Sequence, residues 1–138
     1  MYDERFITPM RQELTRLGVQ ELRTGAEVDQ ALADATEPTL LVVNSMCGCA
    51  ARNARPGIAV ALEQAAKKPA KLTTVFAGQD VEATARAREY ITGYPPSSPS
   101  IALLKDGDVA FMLERHQIEG RTADAIARDL IGAFEQHC

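Results

Sequence analysis

The sequence predicts an α/β domain in which a mixed β-sheet carries helices on both faces. Short apolar runs alternate with amphipathic segments along most of the chain, and an Asp-Gly pair separates the last two apolar runs. Alternation of strands and helices is typical of parallel strand pairing, whereas a late hairpin adds antiparallel pairing. A mixed sheet covered by helices satisfies both observations.

Composition and charge limit the class of protein. The chain has 138 residues, of which 46% are hydrophobic and 25% charged, so we expect one folded domain spanning residues 1–138. The formal net charge is −4 and tryptophan is absent, which argues against nucleic acid or an anionic membrane as a partner. The acidic N-terminus does not resemble a secretory signal, and no stretch is apolar for long enough to span a bilayer. We therefore expect a cytoplasmic protein with reduced cysteines.

The first third of the chain is predicted to form two helices and two strands. Thr8 and the proline after it predict the start of a helix whose apolar residues recur at helical spacing until Gly18. Residues 19–22 are predicted to be extended, and a second amphipathic segment ends before Pro38. The uninterrupted apolar and β-branched run Thr39–Val43 predicts a strand buried on both faces.

The middle of the chain is predicted to continue the alternation. An alanine-rich segment from about Ala50 to Lys68 predicts a helix with Pro56 as its internal breaker, and Lys71–Phe76 predicts the next strand. Asp80 is predicted to cap a helix that runs to about Ile91.

The last third is predicted to form a hairpin and a helix. The apolar runs 101–104 and 109–113 flank the turn sequence 105–108, whose Asp-Gly pair is a strong hairpin signal. Thr122 is predicted to cap the last helix, which has one apolar face. The predicted order is therefore α-β-α-β-α-β-α-β-β-α.

The sequence Cys47-Gly48-Cys49 lies between a predicted strand and a predicted helix. A thiol at the start of a helix faces free N–H groups and the positive end of the helix dipole, so its pKa falls and it becomes nucleophilic. Cys47 is nearer the helix start and is the candidate attacking thiol, whereas Cys49 is the candidate resolving thiol. Gly48 lets backbone and substrate approach closely, and Arg52 and Arg55 are expected to add positive potential.

The spacing of the two cysteines favours exchange over general reduction. A disulfide between residues separated by one position closes a ring of about eleven atoms, in which the preferred dihedral angle is hard to reach. Strained disulfides have higher reduction potentials and are labile or catalytic. The pair therefore suits attack on an existing mixed disulfide or shuffling of disulfides.

Other interpretations of the cysteines remain open at this point. The pair in the loop is also compatible with small buried hydrophobic side chains whose thiols are incidental to function. A metal site would need four soft ligands, for which the candidates are Cys47, Cys49, Cys138 and either His116 or His137. Cys138 is otherwise a candidate accessory thiol, either resolving or intermolecular.

Ser98-Pro99 is a second candidate element of the site. Pro99 precedes a predicted strand, where the lack of a backbone N–H is tolerated. If the bond were cis, the backbone of Ser98 would be open to pairing with an extended substrate. From Pro99 alone a trans proline at the end of a loop is the expected state.

Three segments of the chain resemble the bacilliredoxin A/B family of the thioredoxin superfamily. These segments are Val43–Gly57 with the two cysteines, Tyr94–Leu103 with Pro99, and Arg115–Gly120, and the resemblance extends to the terminal cysteine. It implies a thioredoxin-like fold and a cis bond before Pro99. With the close approach that Gly48 allows and the backbone that a cis bond exposes, we expect Gly48, Ser98 and Pro99 to contribute to substrate binding.

The resemblance also implies an activity. Members of this family remove bacillithiol from proteins that carry it as a mixed disulfide, and they have also been credited with disulfide isomerase activity. By resemblance, Cys47 takes the bacillithiol and free bacillithiol or Cys49 clears it. No bound cofactor is implied, because bacillithiol is a co-substrate. The implied partners are bacillithiolated cytoplasmic proteins, free bacillithiol and a flavin-dependent reductase system.

Overall fold

The computed structural model describes residues 1–138 and confirms the predicted α/β fold. The five strands are Gln20–Glu21 (β1), Thr39–Asn44 (β2), Lys71–Phe76 (β3), Ser100–Lys105 (β4) and Asp108–Leu113 (β5). The six α-helices are Glu4–Thr15 (α1), Gly25–Leu32 (α2), Arg55–Gln64 (α3), Val81–Arg88 (α4), Arg115–Ile118 (α5) and Ala123–His137 (α6). None of them combines the length and the hydrophobicity that crossing a membrane requires.

The sheet is mixed and has the strand order β1-β3-β2-β4-β5. Strands β1, β3 and β2 are parallel, whereas β4 is antiparallel to β2 and β5 is antiparallel to β4. Val43 near the end of β2 pairs with Ser100 at the start of β4. The loop after β2 and the loop before β4 therefore meet at the same end of the sheet.

Strand β2 is buried along its whole length and separates two hydrophobic cores. Leu40 and Val42 pack into the larger core with residues of α1, α3 and α6. Leu41 and Val43 point the other way, into the smaller core with residues of α2 and α4. This alternation confirms the prediction of a strand that is covered on both faces.

The first helix begins earlier than predicted. Asp3, not Thr8, caps α1, because its carboxylate accepts the N–H of Arg5 at 2.9 Å. Thr8 lies inside the helix and donates its hydroxyl to the Glu4 carbonyl at 2.8 Å. Pro9 is therefore an internal helix residue, on the exposed side of α1.

The helical segment after the cysteines is divided in two. Residues Ala50–Ala54 form a π-helical turn in which the Arg55 N–H donates to the Ala50 carbonyl, and α3 follows it. Pro56, predicted as an internal breaker, lies in the first turn of α3, where its missing N–H is tolerated. Helix α3 ends at Gln64, so the prediction to Lys68 was too long.

The prediction that the Asp80 side chain caps α4 was wrong. Asp80 lies at the N-terminus of α4, but its side chain makes no capping hydrogen bond. Its carboxylate instead accepts bonds from Nη1 and Nη2 of the buried Arg11 at 2.6 and 3.0 Å. Charge-assisted, bidentate bonds of this kind are among the strong hydrogen bonds of proteins. Helix α4 ends at Arg88, and the chain continues as turns to Ile91.

The predicted C-terminal hairpin and last helix are confirmed. Asp106 and Gly107 connect β4 and β5 with φ angles of 52° and 81°, as a tight hairpin turn requires. Thr122 caps α6 by accepting the Ala125 N–H at 3.1 Å. The short helix α5 between the hairpin and α6 was not predicted, because four residues are too few to show a hydrophobic period.

Candidate active site

Cys47 lies where the chain leaves β2 and becomes helical. Its carbonyl accepts hydrogen bonds from the N–H groups of Ala50 and Ala51 at 3.1 and 3.2 Å. A residue in this position precedes the free N–H groups of a helical segment. The side chain is partly buried, so it is neither hidden in the core nor fully surrounded by water.

The surroundings of Cys47 favour its thiolate form. Partial burial acts to raise its pKa, but hydrogen bonds to the sulfur from the Ser45 side chain, the backbone at Ala50 and Cys49, and the Cys49 thiol lower it overall. The Ser45 hydroxyl oxygen also accepts the Cys47 N–H at 3.3 Å. A lowered pKa raises the thiolate fraction at neutral pH, which is the requirement for a nucleophilic cysteine.

Cys49 has the opposite character. Burial, the Glu119 carboxylate and the neighbouring Cys47 all raise its pKa. Its Sγ lies 3.3 Å from Glu119 Oε2 and 3.8 Å from Arg115 Nη2. One cysteine of the pair is therefore poised as a thiolate and the other is held as a thiol.

Arg115 and Glu119 were not predicted as site residues. Arg115 Nε donates to Glu119 Oε2 at 3.0 Å, and Nη1 donates to the Ser98 carbonyl at 3.2 Å. The carboxylate of Glu119 raises the pKa of Arg115, and the negative charge of both cysteines raises it further. The only signal in the sequence was their place in the segment 115–120 that carries part of the family resemblance, because neither residue is near a cysteine in the chain.

A buried arginine, Arg55, holds the loop between β2 and Cys47 in place. Arg55 Nη1 donates to Asn44 Oδ1 at 3.0 Å and to the Ser45 carbonyl at 2.9 Å. Arg55 Nε lies 3.1 Å from Glu13 Oε2 without hydrogen-bond alignment, so that contact is electrostatic. Arg55, expected to add positive potential at the thiol, is used instead to hold the backbone of the loop.

Arg52, by contrast, lies beside the two cysteines. A Cβ atom built on Gly48 would lie 2.7 Å from Arg52 Nη2, so the arginine side chain passes over the glycine. The space that Gly48 leaves is therefore filled by the end of a flexible side chain, which a substrate can displace.

The bond between Ser98 and Pro99 is cis, as the family resemblance implied and as the local sequence did not. Pro99 is buried, and β4 begins at the next residue. Ser98 lines an open cleft of about 300 Å³ whose wall also includes Cys47, Met46 and Arg115. The structure therefore brings the attacking thiol and the Ser98 backbone to one surface.

The third cysteine lies far from the pair. Cys138 follows α6, and the charges nearest to it are those of Lys67 and Lys105. Lys105 ends β4, whereas the cysteine pair lies beside the start of β4, about 17 Å away along a strand of this length. The structure thus does not place Cys138 where it can resolve a disulfide on Cys47 of the same chain.

The four-ligand metal site is not assembled either. His137 adjoins Cys138 at the far end of the sheet, and His116 is exposed on α5. No group of three or more His, Cys, Asp or Glu side chains is arranged to hold a metal ion.

Comparison with known proteins shows the family of the chain. Residues 2–138 match a family described as disulphide isomerase. A bacilliredoxin from Salinibacter ruber is 56% identical over 99% of this chain and 81% of its own length. A second from Koribacter versatilis is 54% identical over 100% and 94%, and a third from Bacillus licheniformis is 50% identical over 99% and 95%. The chain belongs to the bacilliredoxin family.

Membership of the bacilliredoxin family confirms the resemblance that the three sequence segments indicated. It assigns the protein a thiol–disulfide redox role and identifies it as a redox enzyme. The roles of Cys47, Cys49, Gly48, Ser98 and Pro99 stay predictions, for which the geometry above supplies the physical basis.

Proposed function

We propose that the protein removes bacillithiol, or a similar low-molecular-weight thiol, from mixed disulfides on cytoplasmic proteins. Cys47 attacks the mixed disulfide, takes the small thiol onto its own sulfur and leaves the target cysteine reduced. Cys49 then attacks the sulfur of Cys47 and releases the small thiol, and a disulfide forms between the two cysteines. The observation that carries the proposal is the placement of Cys47 and Cys49 at a helix start, in surroundings that lower the pKa of the first thiol and raise that of the second.

The shape of the site supports this substrate class. The cleft beside Cys47 is open, and Cys47 is partly exposed, which suits a mixed disulfide on the surface of a folded protein. Ser98 precedes the cis proline, so its backbone lies where an extended segment of the target protein can pair with it. The strand order and this proline also support a thioredoxin-like fold.

The proposed reaction needs no bound cofactor. Free bacillithiol acts as a co-substrate, because it can also clear the Cys47 adduct by thiol–disulfide exchange. The bacillithiol disulfide that results must be reduced by another enzyme, for which a flavin-dependent reductase system is the proposed partner.

The proposal is tested by incubating a bacillithiolated protein with the wild type, Cys47→Ser and Cys49→Ser. Intact-mass analysis of both proteins follows the small thiol. The wild type is expected to release it, Cys49→Ser to accumulate it as an adduct, and Cys47→Ser to leave the target unchanged. Removal of the thiol by Cys47→Ser would show that the attacking residue is assigned wrongly.

Disulfide isomerisation is a second candidate function, favoured by the description of the matched family. Isomerisation needs an attacking thiolate but no net oxidation, so Cys47 alone is sufficient for it. Cys49→Ser is expected to restore the native disulfides of a scrambled protein as well as the wild type does, whereas Cys47→Ser is expected not to restore them. Equal recovery with no enzyme would reject this candidate.

A thiolate metal-binding module is the remaining alternative from the sequence. It predicts stoichiometric zinc or copper on the freshly purified, reduced protein in native mass spectrometry. A mass equal to that of the bare chain is expected instead, because Cys47 and Cys49 have no third ligand beside them in a metal-binding arrangement.

A further inference from the structure

The Cys49 thiol has two groups beside it that carry negative charge. Its Sγ is 3.3 Å from Glu119 Oε2, and the neighbouring Cys47 sulfur also raises its pKa. Glu119 is itself held in place, because Arg115 Nε donates to the same carboxylate oxygen at 3.0 Å. Arg115 is in turn tied to the Ser98 carbonyl at 3.2 Å, so the loop that carries the cis proline positions the carboxylate.

The Cys47 thiolate and the Glu119 carboxylate do not act on Cys49 in the same states of the enzyme. The Cys47 sulfur is negative only in the free enzyme, because it is neutral once it has formed a mixed disulfide. Glu119 stays ionised throughout, since Arg115 lowers the pKa of its carboxyl group. In the adduct, Glu119 is therefore the anion that still accepts a hydrogen bond from the Cys49 thiol.

We infer that Glu119 restrains the resolving step by holding Cys49 as a thiol, so that the adduct on Cys47 persists until a second thiol molecule from solution can clear it. The inference rests on the proposed function, in which Cys49 resolves the adduct on Cys47. It assigns a rate-controlling role to a carboxylate at the C-terminal end of α5 that contacts one of the reacting sulfur atoms.

The resolving step balances as follows. Cys49 loses its proton to water, and its thiolate attacks the Cys47 sulfur of the mixed disulfide. The new bond joins Cys47 and Cys49, the old bond between Cys47 and the small thiol breaks, and the small thiol leaves with the electron pair. It then takes up one proton. A hydrogen bond that favours the protonated form of Cys49 slows this step, because only the thiolate attacks.

The charged and titratable groups around Cys49 are few. Cys47 faces it from the same loop, Arg115 from α5 and Glu119 from the residue that follows α5. Arg52 passes over Gly48 from the π-helical turn. Of the factors that raise the pKa of the Cys49 thiol, burial and Glu119 remain in the adduct, and Glu119 is the charged one. Replacing Glu119 by glutamine removes the charge and keeps an oxygen that can accept the Arg115 N–H.

The size of the effect follows from the acidity and the nucleophilicity of the thiol. Removing a neighbouring negative charge lowers the pKa of the Cys49 thiol, and solvent screening keeps the effect modest because the Glu119 side chain is 55% exposed. A lower pKa raises the thiolate fraction by more than it lowers the intrinsic nucleophilicity of the thiolate, because the Brønsted coefficient is only about 0.4–0.5. We expect the resolving step of Glu119→Gln to be about three times faster near neutral pH.

The test uses dithiobis-nitrobenzoate, which forms a mixed disulfide with any reactive thiol and releases a coloured product. All variants carry Cys138→Ser, so that only Cys47 and Cys49 react. The first phase of colour reports attack by Cys47, and the second reports release of the adduct by Cys49. Cys49→Ser identifies the second phase by its absence.

Glu119→Gln is expected to accelerate the second phase about threefold and to move its pH midpoint down, with the first phase within about twofold of the wild type. Glu135→Gln is the matched control, because Glu135 is exposed near the far end of α6 and the substitution changes the net charge equally. A slower second phase would identify Glu119 as the acceptor of the Cys49 proton, and an unchanged second phase would show that Glu119 does not restrain Cys49. Either result would overturn the inference. Because the probe is not bacillithiol, these outcomes are independent of whether the wild type removes bacillithiol from proteins.

Discussion

The buried Arg55 offers the sharpest test of how the fold supports the site. Its side chain is 2% exposed, and its Nη1 donates to Asn44 Oδ1 and to the Ser45 carbonyl. Arg55→Met keeps the length of the side chain and removes both hydrogen bonds. The Ser45 carbonyl then loses its charged donor in a segment that is itself buried.

The expected loss of stability can be worked from these contacts. A hydrogen bond to a charged group contributes about 1.5–3 kcal/mol, so two contribute about 3–6 kcal/mol. The methionine side chain recovers part of this by apolar packing, and we expect the free energy of unfolding to fall by about 3 kcal/mol. That is a large fraction of the roughly 5–15 kcal/mol that stabilises a domain.

Urea denaturation measures this loss directly. With a slope of about 2 kcal/mol per molar urea, the midpoint of Arg55→Met should lie about 1.5 M below that of the wild type. Glu13→Gln is the matched control, because the Glu13 carboxylate is the third contact of Arg55 but is 42% exposed. Its expected loss is below about 1 kcal/mol, as for other exposed ion pairs.

The same variant links stability to chemistry. Arg55 holds the Ser45 backbone, and the Ser45 side chain lowers the pKa of the Cys47 thiol. The pH midpoint of Cys47 alkylation should therefore rise in Arg55→Met. A urea midpoint within about 0.3 M of the wild type would refute the reasoning, because it would mean that the two hydrogen bonds contribute almost nothing in the folded state.

Three further substitutions each test one local feature of the structure. Ser45→Ala removes a hydrogen bond that favours the Cys47 thiolate, so the alkylation midpoint should move to higher pH and the rate below it should fall; an unchanged midpoint would contradict the assigned cause. Gly57→Ala would place a Cβ 2.7 Å from Ile126 Cγ2, so the free energy of unfolding should fall by about 1–3 kcal/mol in urea denaturation, and no loss would mean that α3 and α6 can separate freely. Gly107→Val forces a β-branched residue to a φ of 81°, so thermal unfolding should show a loss of more than about 1 kcal/mol, whereas the wild-type melting temperature would exclude strain in the turn.

Local patterns were sufficient for much of the fold. The apolar run of β2 and the Asp106-Gly107 turn were predicted correctly because burial on both faces and a tight turn each restrict the residue types that are tolerated. The start of α1 was predicted wrongly, because Asp3 and Thr8 are both suitable caps and only the folded chain shows which of them binds a free N–H.

The sequence by itself determined the order of the elements other than α5 and the place of Cys47 and Cys49 at the start of a helix. These features depend on residues that are close in the chain, and hydrophobic period and turn chemistry act over such short separations. The spacing of the pair and the family resemblance were therefore sufficient to indicate thiol–disulfide chemistry.

Only the tertiary structure decided which residues surround the two sulfur atoms. Glu119 contacts Cys49 across 70 positions of the chain, and Arg115 does so across 66. Such contacts follow from the pairing of β2 with β4 and from the short helix after β5, and no local period encodes either. The same pairing separates Cys138 from Cys47, because the start and end of β4 lie at opposite ends of the sheet. The chemistry of the cysteine pair is thus local in origin, whereas its protonation is controlled by side chains that the sheet register brings to it.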